Sequence, residues 1–498
     1  MSKLNRRKFL KNSALTVASA SLWSLLPGCK TGSARQCCAP GVKQRVIGAN
    51  EDVRIALVGL HGRGKQHIDN FSKAKGVRVV ALCDVDTAVL AGFQERYKDK
   101  LVDVKDTYTD YRKLLENKDI DAVALATPNH WHALGGIWAA QAGKDSYVEK
   151  PASHNVWEGG KLVEAARKYN RIVQTGSQSR SSFAIKEGIE WVKAGNLGKI
   201  LRIRGLCYNR RDSIGLATGP LQVPSTVDYD QWCGPAPLEQ KPRVQFHYDW
   251  HWFWSTGNGD LGNQGVHQTD VARWAGGYGE LPTAVLSLGG RVGYKDDAET
   301  PNTQITYYDY QPYPIIYEVR GLPQKTGAKE MDKYHGQRGV SVVLECEGGW
   351  LTVPNYVSAI AFDNDDKEIK RFEGAESHYE NFIKAVRSRN RADLNAEIEE
   401  GHLSAALCHL ANISQRLGKP ESPEEDKAAI KDNALLTDAF DRMATHLDAN
   451  GVDISKDLIT LGAPLQMDPK AVKFVGSPEA NKMLTREYRK PYVVPEKV

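Results

Sequence analysis

A turn containing three glycines joins a strand-type segment to a helix-like segment and constrains the fold more than any other feature of the chain. Val53–Val58 is a mainly apolar run, and Gly59, Gly62 and Gly64 follow it directly. Residues 65–75 then have a helix-like pattern. Glycines permit a tight turn and close packing there, and a helix N-terminus attracts phosphate groups. The turn therefore indicates a phosphate-binding loop within a doubly wound sheet.

The alternation of strand and helix continues to about residue 175. Further strand-type runs lie at residues 77–83, 122–126, 146–148 and 172–175, and a helix-like run lies at 131–142. Strands that alternate with helices indicate parallel βαβ units with helices on both faces of the sheet. The sequence therefore predicts an α/β protein whose N-terminal domain, residues 51–175, is a Rossmann-type doubly wound parallel sheet.

Beyond residue 175, strand-type segments outnumber helices until about residue 375. They lie at residues 200–207, 284–288, 304–309, 315–319, 340–345 and 350–353. Helices are predicted at 376–386 and 398–415, and Ser422-Pro423 has the form of a helix start. This pattern predicts a second, α+β domain over residues 176–498, with a large, mainly antiparallel open sheet.

Asp84 stands at the end of the second predicted strand. A carboxylate there hydrogen-bonds the 2′-hydroxyl of a ribose and repels a 2′-phosphate, which favours NAD over NADP. A helix N-cap is the alternative role for this residue. His61 departs from the usual G-x-G-x-x-G pattern, because it occupies the position of the middle glycine. Gly62, next to it, supplies some of the missing backbone freedom.

Two motifs follow neighbouring strands of the first domain. Thr127-Pro128-Asn129-His130-Trp131-His132 follows one strand, and Glu149-Lys150-Pro151 follows the next. Ligands of open α/β sheets bind beyond the carboxyl ends of the strands, so a lysine at such an end can face a nicotinamide. Most lysines are simply solvated, and residue type alone does not assign Lys150 a catalytic role.

These segments together resemble the Gfo/Idh/MocA oxidoreductases, which include glucose–fructose oxidoreductase and inositol dehydrogenase. The resemblance rests on the glycine turn and on residues 127–132, 149–151, 174–180 and 257–274. It implies that Lys150 is catalytic and that His267 is the family's catalytic histidine. Asn263 stands four residues before His267, where inositol dehydrogenase-like members have an aspartate. Asp260 and Asp270 are nearby candidates for the missing charge.

The aromatic run around residues 247–254 has two interpretations. It suits a sugar ring, because it offers flat apolar faces with polar tips, and it equally suits a packed β-face. The spacing of His247 and His251 could place two metal ligands on one helix face, but Pro242 and the aromatic density disfavour a regular helix. No metal site is predicted.

The candidate site residues fall into three groups. The predicted catalytic residues are Lys150 and His267. The predicted cofactor-binding residues are Gly59, His61, Gly62, Arg63, Gly64, Asp84, Thr127, Pro128, Asn129, His132, Glu149 and Lys150. The predicted substrate-binding residues are His130, Lys150, Gln178, His251, Trp254, Asn263 and His267.

The first 29 residues are predicted to be a signal peptide, followed by a linker over residues 30–50. Asn5-Arg6-Arg7-Lys8-Phe9-Leu10-Lys11, before a mildly apolar run, resembles a twin-arginine export signal. A chance Arg-Arg pair in an ordinary secretory signal is the alternative. Leu25-Leu26-Pro27-Gly28-Cys29 resembles a lipobox, which predicts a lipid anchor at Cys29 of a periplasmic or membrane-anchored bacterial protein.

The charge distribution argues against a nucleic-acid partner. The chain has 66 Lys and Arg and 61 Asp and Glu, a net charge of +5. Residues 1–28 hold five basic residues and no acid, so the remaining chain is balanced. A broad basic surface is therefore not predicted.

The leading hypothesis is an exported NAD-dependent oxidoreductase with a retained cofactor. It would transfer a hydride between the nicotinamide and a secondary alcohol of a sugar, sugar derivative or polyol. The resemblance also implies a homo-oligomer, either a dimer or a tetramer. One alternative is a redox-neutral glycosidase or lyase that works through a transient keto-sugar, and another is a catalytically inactive sugar-binding lipoprotein.

Overall fold

The computed structural model describes residues 51–498, so the predicted signal peptide, linker and Cys29 lipidation site lie outside the described residues. No helix within residues 51–498 is long and apolar enough to cross a membrane. The strands are β1 Val53–Val58, β2 Val77–Cys83, β3 Asp106–Tyr108, β4 Ala122–Leu125, β5 Asp145–Val148, β6 Val173–Thr175, β7 Ile200–Tyr208, β8 Ala284–Gly290, β9 Thr303–Asp309, β10 Ile315–Arg320, β11 Lys333–Tyr334, β12 Gln337–Arg338, β13 Val340–Cys346, β14 Gly349–Val353, β15 Ser358–Phe362, β16 Glu368–Glu373, β17 Lys419–Pro420, β18 Thr460–Leu461, β19 Leu465–Asp468 and β20 Lys473–Val475. The α-helices are α1 Gly64–Phe71, α2 Thr87–Arg96, α3 Tyr111–Glu116, α4 Asn129–Gln141, α5 Val156–Lys168, α6 Phe183–Lys193, α7 Tyr229–Cys233, α8 Val266–Gly276, α9 His378–Ser388, α10 Ile398–Arg416, α11 Pro423–Ile430, α12 Ala434–Ala449 and α13 Pro478–Lys482.

The first domain is a six-stranded parallel sheet in the order β3-β2-β1-β4-β5-β6. Successive side chains of a strand point to opposite faces, and β1 shows the consequence. Ile55 and Leu57 pack in one apolar cluster, whereas Ala56 and Val58 pack in another. Both faces of the sheet are thus buried, as expected for a doubly wound fold, and the predicted Rossmann-type sheet is confirmed.

The second domain contains a twelve-stranded sheet that is mostly antiparallel, as predicted. Its one parallel pair joins β7 to β10. On its other side, β7 pairs with β13 in the antiparallel direction. Tyr317 of β10 packs in a cluster with residues of α6, α8 and α10, whereas Ile316 packs with residues of α12. Helices therefore cover both faces of this sheet near its centre.

Nine of the twenty strands within residues 51–498 were absent from the sequence prediction, and β3 and β16 show why. The strand β3 has three residues, none of them fully buried. The edge strand β16 has the sequence EIKRFE, and only Phe372 of it is buried. Short or charged edge strands carry little of the hydrophobic alternation on which such predictions depend.

The two domains meet at the carboxyl ends of β1, β4 and β5. Asn129, at the start of α4, donates its side-chain amide to the Asn258 side-chain oxygen at 3.0 Å. Trp131 Nε1 donates to the Trp232 carbonyl oxygen at 3.1 Å. These contacts place the glycine-rich segment of the second domain against the motif-bearing end of the parallel sheet.

Gly59→Ala tests the turn that opens this edge. Gly59 has φ +81°, and an added Cβ would lie 2.6 Å from the Ala126 carbonyl oxygen. We expect a loss of about 1–3 kcal/mol in the free energy of unfolding, measured by denaturant titration. Gly92→Ala, in α2, is the matched control: its Cβ meets nothing within 4 Å. It should stabilise by up to about 1 kcal/mol. Equal effects of the two variants would contradict this account.

Candidate active site

A cavity of about 390 Å³ lies at the carboxyl ends of the parallel strands and extends to the second domain. Most of the residues predicted from the sequence line it. These are Gly59, His61, Gly62, Arg63, Asp84, Thr127, Pro128, Asn129, His132, Glu149, Lys150, His251, Asn263 and His267. The three groups of predicted residues thus face one continuous space.

The glycines of the turn have different tasks. An added Cβ on Gly64 would lie 2.3 Å from the Gly59 carbonyl oxygen, so Gly64 supports close packing of α1. Gly64 does not line the cavity, and its contact with a cofactor stays a prediction. Gly62 is different, because a Cβ there would meet nothing within 4 Å. The N-cap residue Arg63 makes no side-chain cap. The N–H groups of Lys65 and Gln66 bond the carbonyl oxygens of Gly62 and Arg63, so a ligand would approach the turn through the open space at Gly62.

His61 does not close the phosphate-binding turn. Its ring stacks on His247, with centroids 4.7 Å apart, and His247 Nε2 lies 2.9 Å from a carboxylate oxygen of Asp86. Burial and the neighbouring His247 lower the pKa of His61. The non-glycine residue at the middle position is therefore held to one side by an aromatic contact.

Asp84 closes the base of the turn. Its carboxylate accepts the Leu60 N–H at 2.8 Å and the Asp86 N–H at 3.0 Å. Burial raises its pKa. Asp84 is not an N-cap, because Asp86 caps α2 through the N–H groups of Ala88 and Val89. The Asp84 carboxylate keeps further lone pairs for a ligand hydroxyl.

Glu149 organises the charges at the end of β5. It is 3% exposed, and its carboxylate accepts from Arg63 Nε at 2.9 Å and lies 3.1 Å from His67 Nε2. The cationic Arg63 outweighs the cost of burial and holds the Glu149 pKa well below its usual range. This ion pair fixes the turn against the strand end that carries Lys150.

Lys150 reaches across the cavity to the second domain. Its Nζ donates to the Asn263 carbonyl oxygen at 2.6 Å. Asn263 lies in a π-helical turn, Leu261–Gly265, directly before α8. Such turns shift the backbone hydrogen bonds and are frequent at functional sites. The contact uses the backbone, so it does not depend on whether residue 263 is an aspartate or an asparagine.

His267 is a buried neutral imidazole beside this lysine. Its Nδ1 has no hydrogen-bond partner among the described residues, and its ring lies 5.0 Å from that of Tyr356. Burial, and secondarily the charge of Lys150, lower the His267 pKa to about 3. Burial likewise lowers the Lys150 pKa. The site thus holds a lysine whose proton is easier to remove than usual and a histidine that is uncharged at neutral pH.

The two aspartates near His267 are each bound to an arginine. Asp260 accepts from Arg211 Nε at 3.0 Å and Nη2 at 2.7 Å. Asp270 is bound by Arg180 at 2.8 Å and by the Ser404 hydroxyl at 2.7 Å. Neither lines the cavity. Neither aspartate therefore contacts a ligand in the cavity, but the charge of Asp260 favours protonated Lys150 and that of Asp270 favours protonated His267. Their role as candidates for the missing charge stays a prediction.

Three predicted substrate residues lie elsewhere. His130 is 1% exposed and is enclosed by the carbonyl oxygens of Trp232 and Thr256 at 2.9 and 3.3 Å. Gln178 donates to the Tyr147 hydroxyl at 3.1 Å. Trp254 packs under the Arg416 guanidinium, 5.0 Å from the ring centroid. The sequence motifs placed these residues near the site, but the His130 side chain is buried and those of Gln178 and Trp254 are partly buried against other partners outside the cavity.

One part of the aromatic run at residues 247–254 lines the cavity, and another part packs in the protein interior. His251 lines the cavity and stacks on Trp250 at 3.6 Å, whereas Trp252 packs in a separate buried cluster. Burial lowers the His251 pKa to about 3. Within residues 51–498, no group of three or more His, Cys, Asp or Glu is arranged to hold a metal ion.

Several cavity residues are absent from the three predicted groups. His247, Tyr248 and Trp250 belong to the aromatic run that the sequence singled out, whereas the remaining ones were missed: Tyr111, Trp131, Trp138, Gln264, Tyr356 and Tyr492. Tyr492 comes from the C-terminal tail, where its hydroxyl donates to Asp230 at 2.9 Å and its ring meets that of Trp131 at 5.5 Å. Neither the tail nor the loop that carries Tyr356 has a sequence motif. Trp131 was detectable, since it stands inside the Thr127–His132 motif.

The chain's own residues fit a dinucleotide. Gly62 leaves open space beside the turn, Asp84 offers a carboxylate, and the buried Thr127 hydroxyl has no hydrogen-bond partner among the described residues. The space at Gly62 suits a pyrophosphate, and the Asp84 carboxylate suits a ribose hydroxyl. The Thr127 hydroxyl suits a polar ligand group that completes its hydrogen bonding.

The fold and this cleft define a two-domain dinucleotide-binding protein. Residues 53–177 match GFO_IDH_MocA, the NAD-binding Rossmann fold of an oxidoreductase family, and residues 211–316 match that family's C-terminal alpha/beta domain. The chain therefore belongs to the Gfo/Idh/MocA oxidoreductase family, as the sequence motifs predict, and its first domain binds NAD.

Curated relatives and solved structures extend the comparison. A "Glycosyl hydrolase family 109 protein 2" of Shewanella sp. strain ANA-3 is 34% identical over 33% of this chain and 38% of its own length. An "Alpha-N-acetylgalactosaminidase" of Shewanella oneidensis is 27% identical over 40% of this chain and 45% of its own length. The chain thus matches less than half the length of these relatives. The WlbA dehydrogenase of Bordetella pertussis, solved with NADH and UDP-GlcNAcA, is 19% identical over 74% of this chain and 97% of its own, with a TM-score of 0.54. It shares the fold.

Asp84→Asn tests the choice of cofactor. The amide removes the negative charge that repels a 2′-phosphate, so we expect NAD to bind about tenfold more weakly and the preference for NAD over NADP to narrow. Calorimetric titration of both dinucleotides measures the ratio. The surface variant Asp99→Asn should leave it unchanged. An unaltered ratio in Asp84→Asn would show that this carboxylate does not select the cofactor.

Proposed function

We propose that the protein is an NAD-dependent oxidoreductase that acts on a secondary alcohol of a sugar or sugar derivative. The observation that carries the proposal is the meeting of Lys150 and His267 in one cavity with the phosphate-binding turn. Bound NAD supplies a hydride acceptor, which such a reaction requires. The protein must then bind the alcohol, hold its oxygen and receive its proton.

Lys150 is the better base of the two residues. A histidine with a pKa of about 3 is too weak a base to take a proton from an alcohol. Burial lowers the Lys150 pKa, so a larger fraction of this amine is neutral and able to receive a proton than in an exposed lysine. Its protonated form then stabilises an oxygen that gains negative charge. His267 then orients the hydroxyl through a hydrogen bond. Oxidation should therefore become faster as pH rises through the lowered pKa of Lys150.

The substrate end of the cavity suits a carbohydrate. Asn263, Gln264 and His251 offer uncharged polar groups, and Tyr248 and Tyr356 offer aromatic faces. Such a combination binds the hydroxyls and the apolar faces of a sugar ring. The names of the relatives and the sugar nucleotide bound to the WlbA dehydrogenase agree with a sugar derivative.

A second candidate function is redox-neutral glycoside cleavage. The glycosyl hydrolase names of the relatives favour it. Oxidation of a ring alcohol to a ketone acidifies the neighbouring C–H, whose proton a base removes while the glycosidic bond breaks and the leaving alcohol takes a proton. Water adds to the resulting double bond, and reduction of the ketone returns the two electrons. NAD is unchanged over the whole cycle.

We further propose that the protein is exported with its cofactor already bound. The twin-arginine-like segment at residues 5–11 supports a route that carries folded proteins, and Cys29 follows a lipobox-like sequence. A retained cofactor suits a compartment where free NAD is scarce. The periplasm, or its membrane surface, is then the site of action.

Lys150→Met tests the proposed chemistry. We expect turnover to fall about 10²–10⁴-fold, because the proton acceptor is lost, while NAD still binds. Rates are measured by NADH absorbance and by chromatography of sugar products from a panel of glycosides and free sugars. Lys186→Met, an exposed lysine of α6, is the control.

The same assay separates the candidate functions. NADH that accumulates with product indicates net oxidation, whereas cleaved glycoside without NADH indicates the redox-neutral cycle. Full turnover in Lys150→Met would exclude the assigned role of this lysine. A wild-type protein that binds sugars and converts none would favour the inactive sugar-binding alternative.

A further inference from the structure

A second cavity, of about 180 Å³, adjoins the active-site cavity and shares Gln264 and Tyr356 with it. Gln264 Nε2 donates to the Tyr356 hydroxyl at 3.3 Å, so the two side chains form a partition between the spaces. Tyr356 is 38% exposed and lies on the loop between β14 and β15. A ligand that extends past His267 and this loop would enter the second cavity.

The lining of the second cavity is polar but uncharged. Ser179, Asn209, Gln268 and Asn355 supply hydroxyl and amide groups, and valines of β13, β14 and α8 supply apolar walls. None of its lining residues carries a formal charge. Phosphate recognition uses arginine, lysine or helix N-termini, so this composition disfavours a nucleotide diphosphate. Amides beside an apolar wall suit the hydroxyls and C–H face of a neutral sugar.

Gln268 gives an independent indication of a ligand. Its side chain is 6% exposed, and its carbonyl oxygen is buried without a hydrogen-bond partner among the described residues. A buried acceptor without a partner costs free energy, and native proteins usually satisfy such groups. Gln268 lies next to His267 and one helical turn after Gln264. It therefore lines the second cavity beside the partition that Gln264 and Tyr356 form.

We infer that the second cavity binds a second, neutral sugar ring of the substrate. This inference rests on the proposed function and deepens it: the substrate is a neutral di- or oligosaccharide glycoside, not a free monosaccharide or a nucleotide sugar. The ring to be oxidised lies at Lys150 and His267. The neighbouring ring lies beyond Gln264 and Tyr356. The buried Gln268 carbonyl oxygen turns toward the cavity when the ring binds and accepts a hydrogen bond from one of its hydroxyls.

The test compares the activity of the wild type and of Gln268→Met on substrates with one sugar ring and with two. The probes are methyl glycosides of galactose, glucose, N-acetylglucosamine and N-acetylgalactosamine, and disaccharides with the same non-reducing sugars. We expect the wild type to prefer the matching disaccharide at least about tenfold in kcat/KM, as the extra hydrogen bonds require. Gln268→Met should lose this preference and keep its rate on the methyl glycoside.

The matched control is Gln415→Met, a glutamine of α10 that is also 6% exposed. Its Oε1 is likewise buried without a hydrogen-bond partner among the described residues, but its Nε2 donates to the Gly289 carbonyl oxygen at 2.7 Å. Both variants therefore remove an unsatisfied acceptor, and Gln415→Met also loses this bond. Without sugar, Gln268→Met should raise Tm, and Gln415→Met should have a lower Tm than Gln268→Met. A lower Tm for Gln268→Met would overturn the inference without any substrate.

The outcomes separate the inference from the proposed function. Equal rates on methyl glycosides and disaccharides, or an equal loss on both in Gln268→Met, would overturn the second subsite and leave the oxidoreductase intact. Efficient turnover of UDP-N-acetylglucosamine would also overturn it. If the NAD-bound wild type converts no probe, the proposed function fails on this panel, and the Tm comparison still decides for or against the ligand role of Gln268.

Discussion

The site depends on the hydrogen bond from Lys150 Nζ to the Asn263 carbonyl oxygen, at 2.6 Å. It joins the end of β5 in the parallel sheet to the π-helical turn before α8, so each domain supplies one side of the cavity. A buried ammonium is costly unless it is hydrogen-bonded, and this carbonyl oxygen meets part of that need. The bond thereby fixes the lysine beside His267 while burial lowers its pKa.

Charge on the cofactor side is balanced separately. Glu149 pairs with Arg63 at 2.9 Å, and Asp84 accepts two backbone N–H groups. Farther out, Asp260 and Asp270 are each bound to an arginine and influence the cavity only at longer range. With these carboxylates occupied, the substrate end keeps mainly uncharged polar groups. This pattern suits a neutral carbohydrate better than an anionic ligand.

The sequence predicted the parts of the fold that have strong local signals. The glycine turn, Asp84 and the Glu149-Lys150-Pro151 motif follow buried strands whose apolar pattern is unmistakable, and the structure brings them to one cavity. His130 and Trp254 were misplaced because sequence adjacency does not fix the direction of a side chain. Tyr356 and Tyr492 were missed because they come from irregular segments whose positions depend on tertiary packing. The role of Gln268 could not be predicted either, because it depends on a cavity that no local sequence pattern reveals.

Mass spectrometry and absorbance of the ligand released from purified, denatured protein test the central claim most directly. The claim is that this cleft holds NAD for chemistry on a sugar alcohol. The account predicts NAD or NADH in an amount close to one per chain, or, where purification removes it, saturable rebinding of NAD. Protein that releases no dinucleotide and binds no NAD on titration would contradict the account, because His61 would then have disabled the phosphate-binding turn.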